Sequence, residues 1–234
     1  MNQSNYKPKY FLLAGSASES AAATAIDRAH EFVREVTKKV LEAGDGFVVY
    51  TASEPVNAAK QPLIFDWTIL REIDACYPGQ ATLPRVVIVL AERHRQASMN
   101  PEQRALIARL SMRGLAKVDV IPDEVVTGGN VGDAQASHAS GMLALGGCKG
   151  VSDRAYKMVK LGLPVYPMDL KIGANSEDGE GALGVYRKFM SAPLSYLSHT
   201  GAEVVSKTPA LSLEELVLPV PEIAAHVVAI LENE

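Results

Sequence analysis

Apolar residues follow two alternating rhythms along this chain. Short, nearly continuous runs at residues 10–14 (YFLLA), 47–50 (FVVY) and 85–90 (RVVIVL) are too brief for helices. They are rich in β-branched and aromatic residues, the pattern of strands buried on both faces of a parallel sheet. Across residues 24–43 the period changes: Ile26, Ala29, Val33, Val36 and Val40 recur every three or four positions. That spacing predicts an amphipathic helix, which Gly44-Asp45-Gly46 would stop. Asn100-Pro101-Glu102 sets an N-cap, a first-turn proline and an early acid in succession. It predicts a helix to about Arg113, with Leu106, Ile107 and Leu110 on one side and Gly114 at its end.

The alternation continues to the C-terminus. Residues 118–121 and 142–145 (MLAL) read as strands, and a helix is expected over about 151–161, closed by Gly162. Residues 163–168 (LPVYPM) read as a final core strand that Pro167 leaves, and 169–181 as a loop. Two more helices are expected over about 184–190 and 222–231. The pattern predicts a single α/β domain over 1–234: a Rossmann-like, doubly wound, mainly parallel sheet flanked by helices, its core at about 10–168 and completed by 169–234. Ligands of such sheets bind at the carboxyl ends of the strands, where the glycines of this chain cluster.

Composition narrows the function. A chain of 234 residues, 47% hydrophobic and 21% charged, buries roughly 70–75% of its unfolded surface and needs neither disulfides nor a structural metal. Cys76 and Cys148 fit a reducing cytoplasm. A net charge of −4 argues against a protein that coats nucleic acid. No run approaches the ~20 apolar residues of a membrane span, and residues 1–9 lack a secretory h-region. Five scattered histidines and no CxxC pair point to no metal. GxSxG and P-loop signatures are absent and the first glycine motif is not GxGxxG, so no cofactor is expected.

Three clusters remain as candidate chemistry. Ala14-Gly15-Ser16-Ala17-Ser18-Glu19-Ser20 lies between a strand and a helix, where small residues, hydroxyls and an electropositive helix start suit a phosphate, or where serines simply cap the helix. Gly146-Gly147-Cys148-Lys149-Gly150-Val151-Ser152 repeats that placement with three glycines and a lysine, either as an anion cradle or as a tight turn. Thr127-Gly128-Gly129-Asn130-Val131-Gly132-Asp133 is a third glycine-rich stretch, ligand-facing through Gly129 or an ordinary connection to a helix carrying His138. Arg93, just past the third strand, is a candidate for the ligand mouth or a solvated face. In the long connection between the second and third strands, Asp66-Trp67 offers a ribose acceptor beside a base-stacking ring, a partner anchor, or plain core packing.

A strand ending in Gly15-Ser16 and a later one ending in Gly146-Gly147-x-x-Gly150, followed by a helix and Leu163-Pro164-Val165, resemble the SLOG superfamily over most of residues 10–168. This group of Rossmann-like domains includes the Lonely Guy phosphoribohydrolases, the DNA-processing proteins and the ligand-sensing domains of Thoeris-type antiphage systems and TRPM channels. The resemblance implies phosphate and nucleotide recognition through Ser16, Gly146, Gly147, Lys149, Gly150 and Ser152, to which the first cluster adds Gly15 and Ser18 as phosphate-binding candidates. The Lonely Guy motif PGGxGTxxE is only partly matched: Val151 replaces its threonine and Arg154 falls where its catalytic glutamate is expected. Two functions follow as expectations. The first is a sensor binding a nucleotide or an ADP-ribose- or NAD-derived ligand, as a homo-oligomer by analogy. The alternative is an N-glycosidase releasing a free base, with Glu19 or Asp153 supplying the carboxylate unless they serve only as first-turn helix acids.

Overall fold

Side chains of a strand point alternately to its two faces, and here both faces are covered. Phe11, Leu13, Phe47, Val49, Ile88 and Leu143 pack on one side of a sheet, and Leu12, Ala14, Val48, Val89, Met142 and Ala144 on the other. A computed structural model of the chain describes residues 7–122, 128–173, 181–192, 195 and 211–233. Its strands are β1 (Tyr10–Ser16), β2 (Gly46–Tyr50), β3 (Val86–Ala91), β4 (Ala116–Ile121), β5 (Gly141–Gly146) and β6 (Val165–Pro167). They form one six-stranded sheet in the order β4-β3-β2-β1-β5-β6, every neighbouring pair parallel. The Rossmann-like α/β class expected from the alternation is the one observed.

Helices α1 (Ala23–Glu42), α2 (Asp66–Cys76) and α4 (Pro101–Met112) pack on the first face with α8 (Val220–Asn233). Helices α5 (Gly128–His138), α6 (Lys149–Lys160) and α7 (Ala182–Ser191) lie on the second. A short α3 (Glu92–Ala97) follows β3 directly. Local chemistry explains the boundaries. Gly44 ends α1 at φ +93°, and Asn100 and Gln103 exchange two 2.9 Å bonds as the capping box of α4.

Two elements differ from expectation. The connection between β2 and β3 contains α2, whose Trp67, Ile69, Leu70 and Ile73 are buried. Trp67 is 0% exposed and donates to the Ala52 carbonyl at 3.1 Å, so it is a core residue and not a surface anchor. The glycine-rich stretch 128–133 is the first part of α5 and no loop, and Thr127 lies outside the described residues. Residues 174–180 of the expected loop 169–181 also lie outside them.

The order of the sheet fixes where a ligand can sit. From β1 the chain moves outward through β2, β3 and β4, then returns to place β5 on the other side of β1. The connections leaving β1 and β5 therefore diverge and open a crevice at their carboxyl ends.

Candidate functional site

Close backbone approach shapes that crevice. A Cβ added to Gly15 would stand 1.8 Å from the Leu145 carbonyl oxygen, so only glycine lets β1 and β5 pair at this register. Gly146 and Gly147 take φ of +65° and +75°, turning the chain from β5 into α6, and the Gly147 N–H donates to the Ser16 carbonyl at 2.7 Å. The resulting cavity, about 240 Å³, is lined by Gly15 and Ser16 from β1, Gly147, Cys148 and Gly150 at the start of α6, and Tyr50, Ala52, Ile64, Asp66, Gln135 and Arg154 around them. Cys148 caps α6 in extended conformation without a side-chain cap bond, leaving the electropositive end of a 12-residue helix at the cavity.

Asp66 reaches the cavity because the segment before α2 is pinned to β1. Ile64 forms an antiparallel bridge with Ser16, and the Ala17 N–H donates to the Leu63 carbonyl at 2.8 Å. Behind it, His30 Nε2 donates to the Pro62 carbonyl and Nδ1 accepts from the Thr68 hydroxyl, both at 2.8 Å. The carbonyl can only accept, which fixes this tautomer, and burial holds the imidazole pKa below its usual value.

Asp66 is 8% exposed, and its carboxyl accepts the Tyr50 backbone N–H at 2.8 Å. Burial pushes its pKa up to about 7, against the opposing pull of the Tyr50 and Asp66 backbone N–H groups and of Arg154. Asp66 forms no ion pair among the described residues. Arg154, on the second turn of α6, is fixed from two sides: its Nε donates to Gln135 Oε1 at 2.8 Å and an Nη to the Gly150 carbonyl at 2.9 Å. Its pKa is lowered by burial and raised chiefly by Asp66 and then Tyr50. A carboxyl poised near neutrality thus faces a cation in one desolvated cleft, without contact between them.

The residues singled out from sequence separate into groups. Gly15, Ser16, Gly147 and Gly150 line the cavity, and Gly146 forms the turn beneath it. Ser18 and Ser20 share a 2.9 Å hydroxyl bond, while α1 is capped at Ala22 with no side-chain bond, so these serines do not cap the helix. Lys149 and Asp153 pair with each other at 2.9 Å on the exposed face of α6, and the Ser152 hydroxyl bonds the Lys149 carbonyl. Glu19 is exposed, and neither it nor Asp153 lines the cavity. Arg93 lies outside the lining, although its charge acts on Tyr50, and Gly129 falls in the first turn of α5.

Asp66 and Arg154 are the pair that sequence reasoning did not assemble. An acid between Phe65 and Trp67 in an otherwise apolar run was the available signal, since burying such a group demands a reason. Among the described residues, no group of three or more His, Cys, Asp or Glu could hold a metal, and no helix is long and apolar enough to cross a membrane.

Residues 6–216 match the protein family described as "ATP nucleosidase Cap17-like, N-terminal". The chain belongs to this family. Two curated relatives, both named ATP nucleosidase Cap17, one from Escherichia coli strain KTE188 and one from Escherichia coli, are each 43% identical to it over 211 residues. That match covers 90% of this chain and 42% of either relative, so the chain spans about two fifths of their length. The matched region contains the whole crevice, from Gly15 to Arg154.

Proposed function

We propose that this cleft is the active site of a nucleotide N-glycosidase whose substrate is ATP, the alternative reading of the sequence rather than a binding-only sensor. The observation that carries the proposal is a buried carboxyl with a pKa of about 7 in the crevice of a Cap17-like domain. Heterolysis of a glycosidic bond builds positive charge on the sugar, and a desolvated carboxylate beside the anomeric carbon stabilises it strongly. The name of the relatives supports ATP as substrate, and the SLOG-like arrangement of the sheet supports a nucleotide lying across β1 and β5.

In this reading the phosphates lie against Gly15, Ser16, Gly147 and Gly150 at the start of α6. The ribose lies over Asp66, and the base extends toward Tyr50 and Ile64. Ionised Asp66 takes a proton from water as the water oxygen bonds C1′. The C1′–N9 bond breaks with its electron pair leaving on the base, which gains a proton from solvent. The products are adenine and ribose 5′-triphosphate, with no phosphoanhydride bond broken.

Incubating the protein with ATP and resolving the products by mass spectrometry tests this. Adenine and ribose 5′-triphosphate should accumulate in equal amounts. Intact ATP retained without turnover would return the sensor reading, and ADP as product would contradict both.

A further inference from the structure

The glycosidic bond breaks into two charged halves, and the cleft holds two charged groups that do not touch. We infer that Arg154 is a catalytic residue that stabilises the negative charge developing on the departing base. The inference rests on the N-glycosidase reading above and deepens it.

Arg154 is held rigidly, its Nε by Gln135 of α5 and one Nη by the Gly150 carbonyl, which leaves the second Nη with no protein hydrogen-bond partner among the described residues, in a side chain that lines the cavity. Gln135 is 3% exposed, so this anchor is inside the protein and costs little reorganisation during reaction. Arg154 has no ion-pair partner among the described residues, unlike Lys149 and Lys157, which are closed by Asp153 and Asp133. Asp66 lies in the same cavity but is satisfied by the Tyr50 N–H instead of by the guanidinium.

Two opposite charges kept apart in a low-dielectric cleft set a field across whatever lies between them. As the C1′–N9 bond lengthens, the sugar becomes positive and the base negative. Asp66 serves the first charge and Arg154 the second, by a hydrogen bond to a purine ring nitrogen. Gln135 acts through Arg154 and is a positioning residue. The position where the Lonely Guy motif has its glutamate is therefore occupied by a group of opposite charge and, in this account, of complementary duty, with the carboxylate supplied by α2.

Leaving-group chemistry separates this role from phosphate binding. The base of ATP departs as an anion unless it is assisted, whereas N7-methylated ATP releases a neutral base and needs no such help. Base release from both compounds should be measured for wild type, Arg154→Met, Arg154→Lys and Gln135→Met, each checked for cooperative thermal unfolding. We expect Arg154→Met to lose about a hundredfold in kcat on ATP and less than about fivefold on the methylated compound, corrected for its spontaneous release. Arg154→Lys should lose less on ATP, and Gln135→Met about tenfold, both with the methylated substrate spared. Equal losses on the two substrates in a folded variant, or a loss confined to KM, would overturn the assignment and make Arg154 an anchor for substrate. Failure of the wild type to release base from either compound would instead overturn the N-glycosidase reading itself.

Discussion

Asp66 and Asp74 occupy one helix, α2, and their environments drive them in opposite directions. Asp66 opens the helix inside the crevice, with backbone N–H groups for company and no ion pair among the described residues, and its pKa rises to about 7. Asp74 lies near the far end of the helix, where Arg109 and Arg113 reach it at 2.6 and 2.5 Å and hold its carboxyl below the usual carboxylate range. The residue type is the same and the backbone is continuous. What differs is whether a charge is offered water and a partner or neither. A carboxylate that is fully paired is structural; one that is buried and left unpaired has been retained against a cost, and that cost marks the site.

The largest effect should come from removing the unpaired charge. Asp66→Asn keeps an oxygen to accept the Tyr50 N–H but cannot take a proton from water, so base release from ATP should fall by about a thousandfold or more. The same substitution should make the fold more stable at alkaline pH. The folded state holds the Asp66 proton more tightly than the unfolded chain, so the stability this group contributes is complete below pH about 4 and lost as pH rises through about 7. A pKa moving from 3.8 to about 7 corresponds to up to about 4 kcal/mol. Denaturant melts of wild type and Asp66→Asn should therefore coincide near pH 4 and separate by pH 8, with the variant the more stable.

Asp74→Asn should behave in the opposite sense. Base release should stay within about twofold of wild type, while the melting temperature falls by less than about 4 °C, because solvent reaches and screens these partly exposed pairs. That difference should be present above pH about 4 and disappear as pH falls through the depressed value of Asp74. The smallest effects are expected from Glu19→Gln and Asp153→Asn, whose side chains are exposed and, for Asp153, already paired with Lys149. Turnover should remain within about twofold of wild type. A large loss at either would return the catalytic carboxylate to the strand-end loops.

Much of this arrangement was legible in the chain. Buried parallel strands announce themselves as short β-branched runs, and Gly15 and Gly147 were recognisable because a strand followed by small residues and a helix is the form of an anion site. The site's charges were less legible. Asp66 belongs to α2, whose first turn follows the apolar run at 63–65, and without the helix the acid read as part of a long connection. Arg154 stands one position from the buried face set by Val151, Ala155 and Met158, where helical period alone assigns a solvated residue. Its role depends on Gln135 of a different helix, a pairing that no spacing in the sequence encodes. The glycines of 128–133 misled in the other direction. They suggest a loop, but Val131 and Ala136 bury against the sheet and Gly132 lies beside Arg154 and Lys157, so packing overrides their low helix propensity.

The most direct measurement is the titration of the Asp66 carboxyl carbon by NMR, taken alongside the pH dependence of kcat/KM for base release from ATP. Both should follow a single ionisation near pH 7, with activity rising as the carboxylate forms, and Asp66→Asn should remove both. A carboxyl carbon that titrates near pH 4 like a solvated aspartate, or a rate that is flat through pH 7, would contradict the claim that this buried carboxylate does the chemistry.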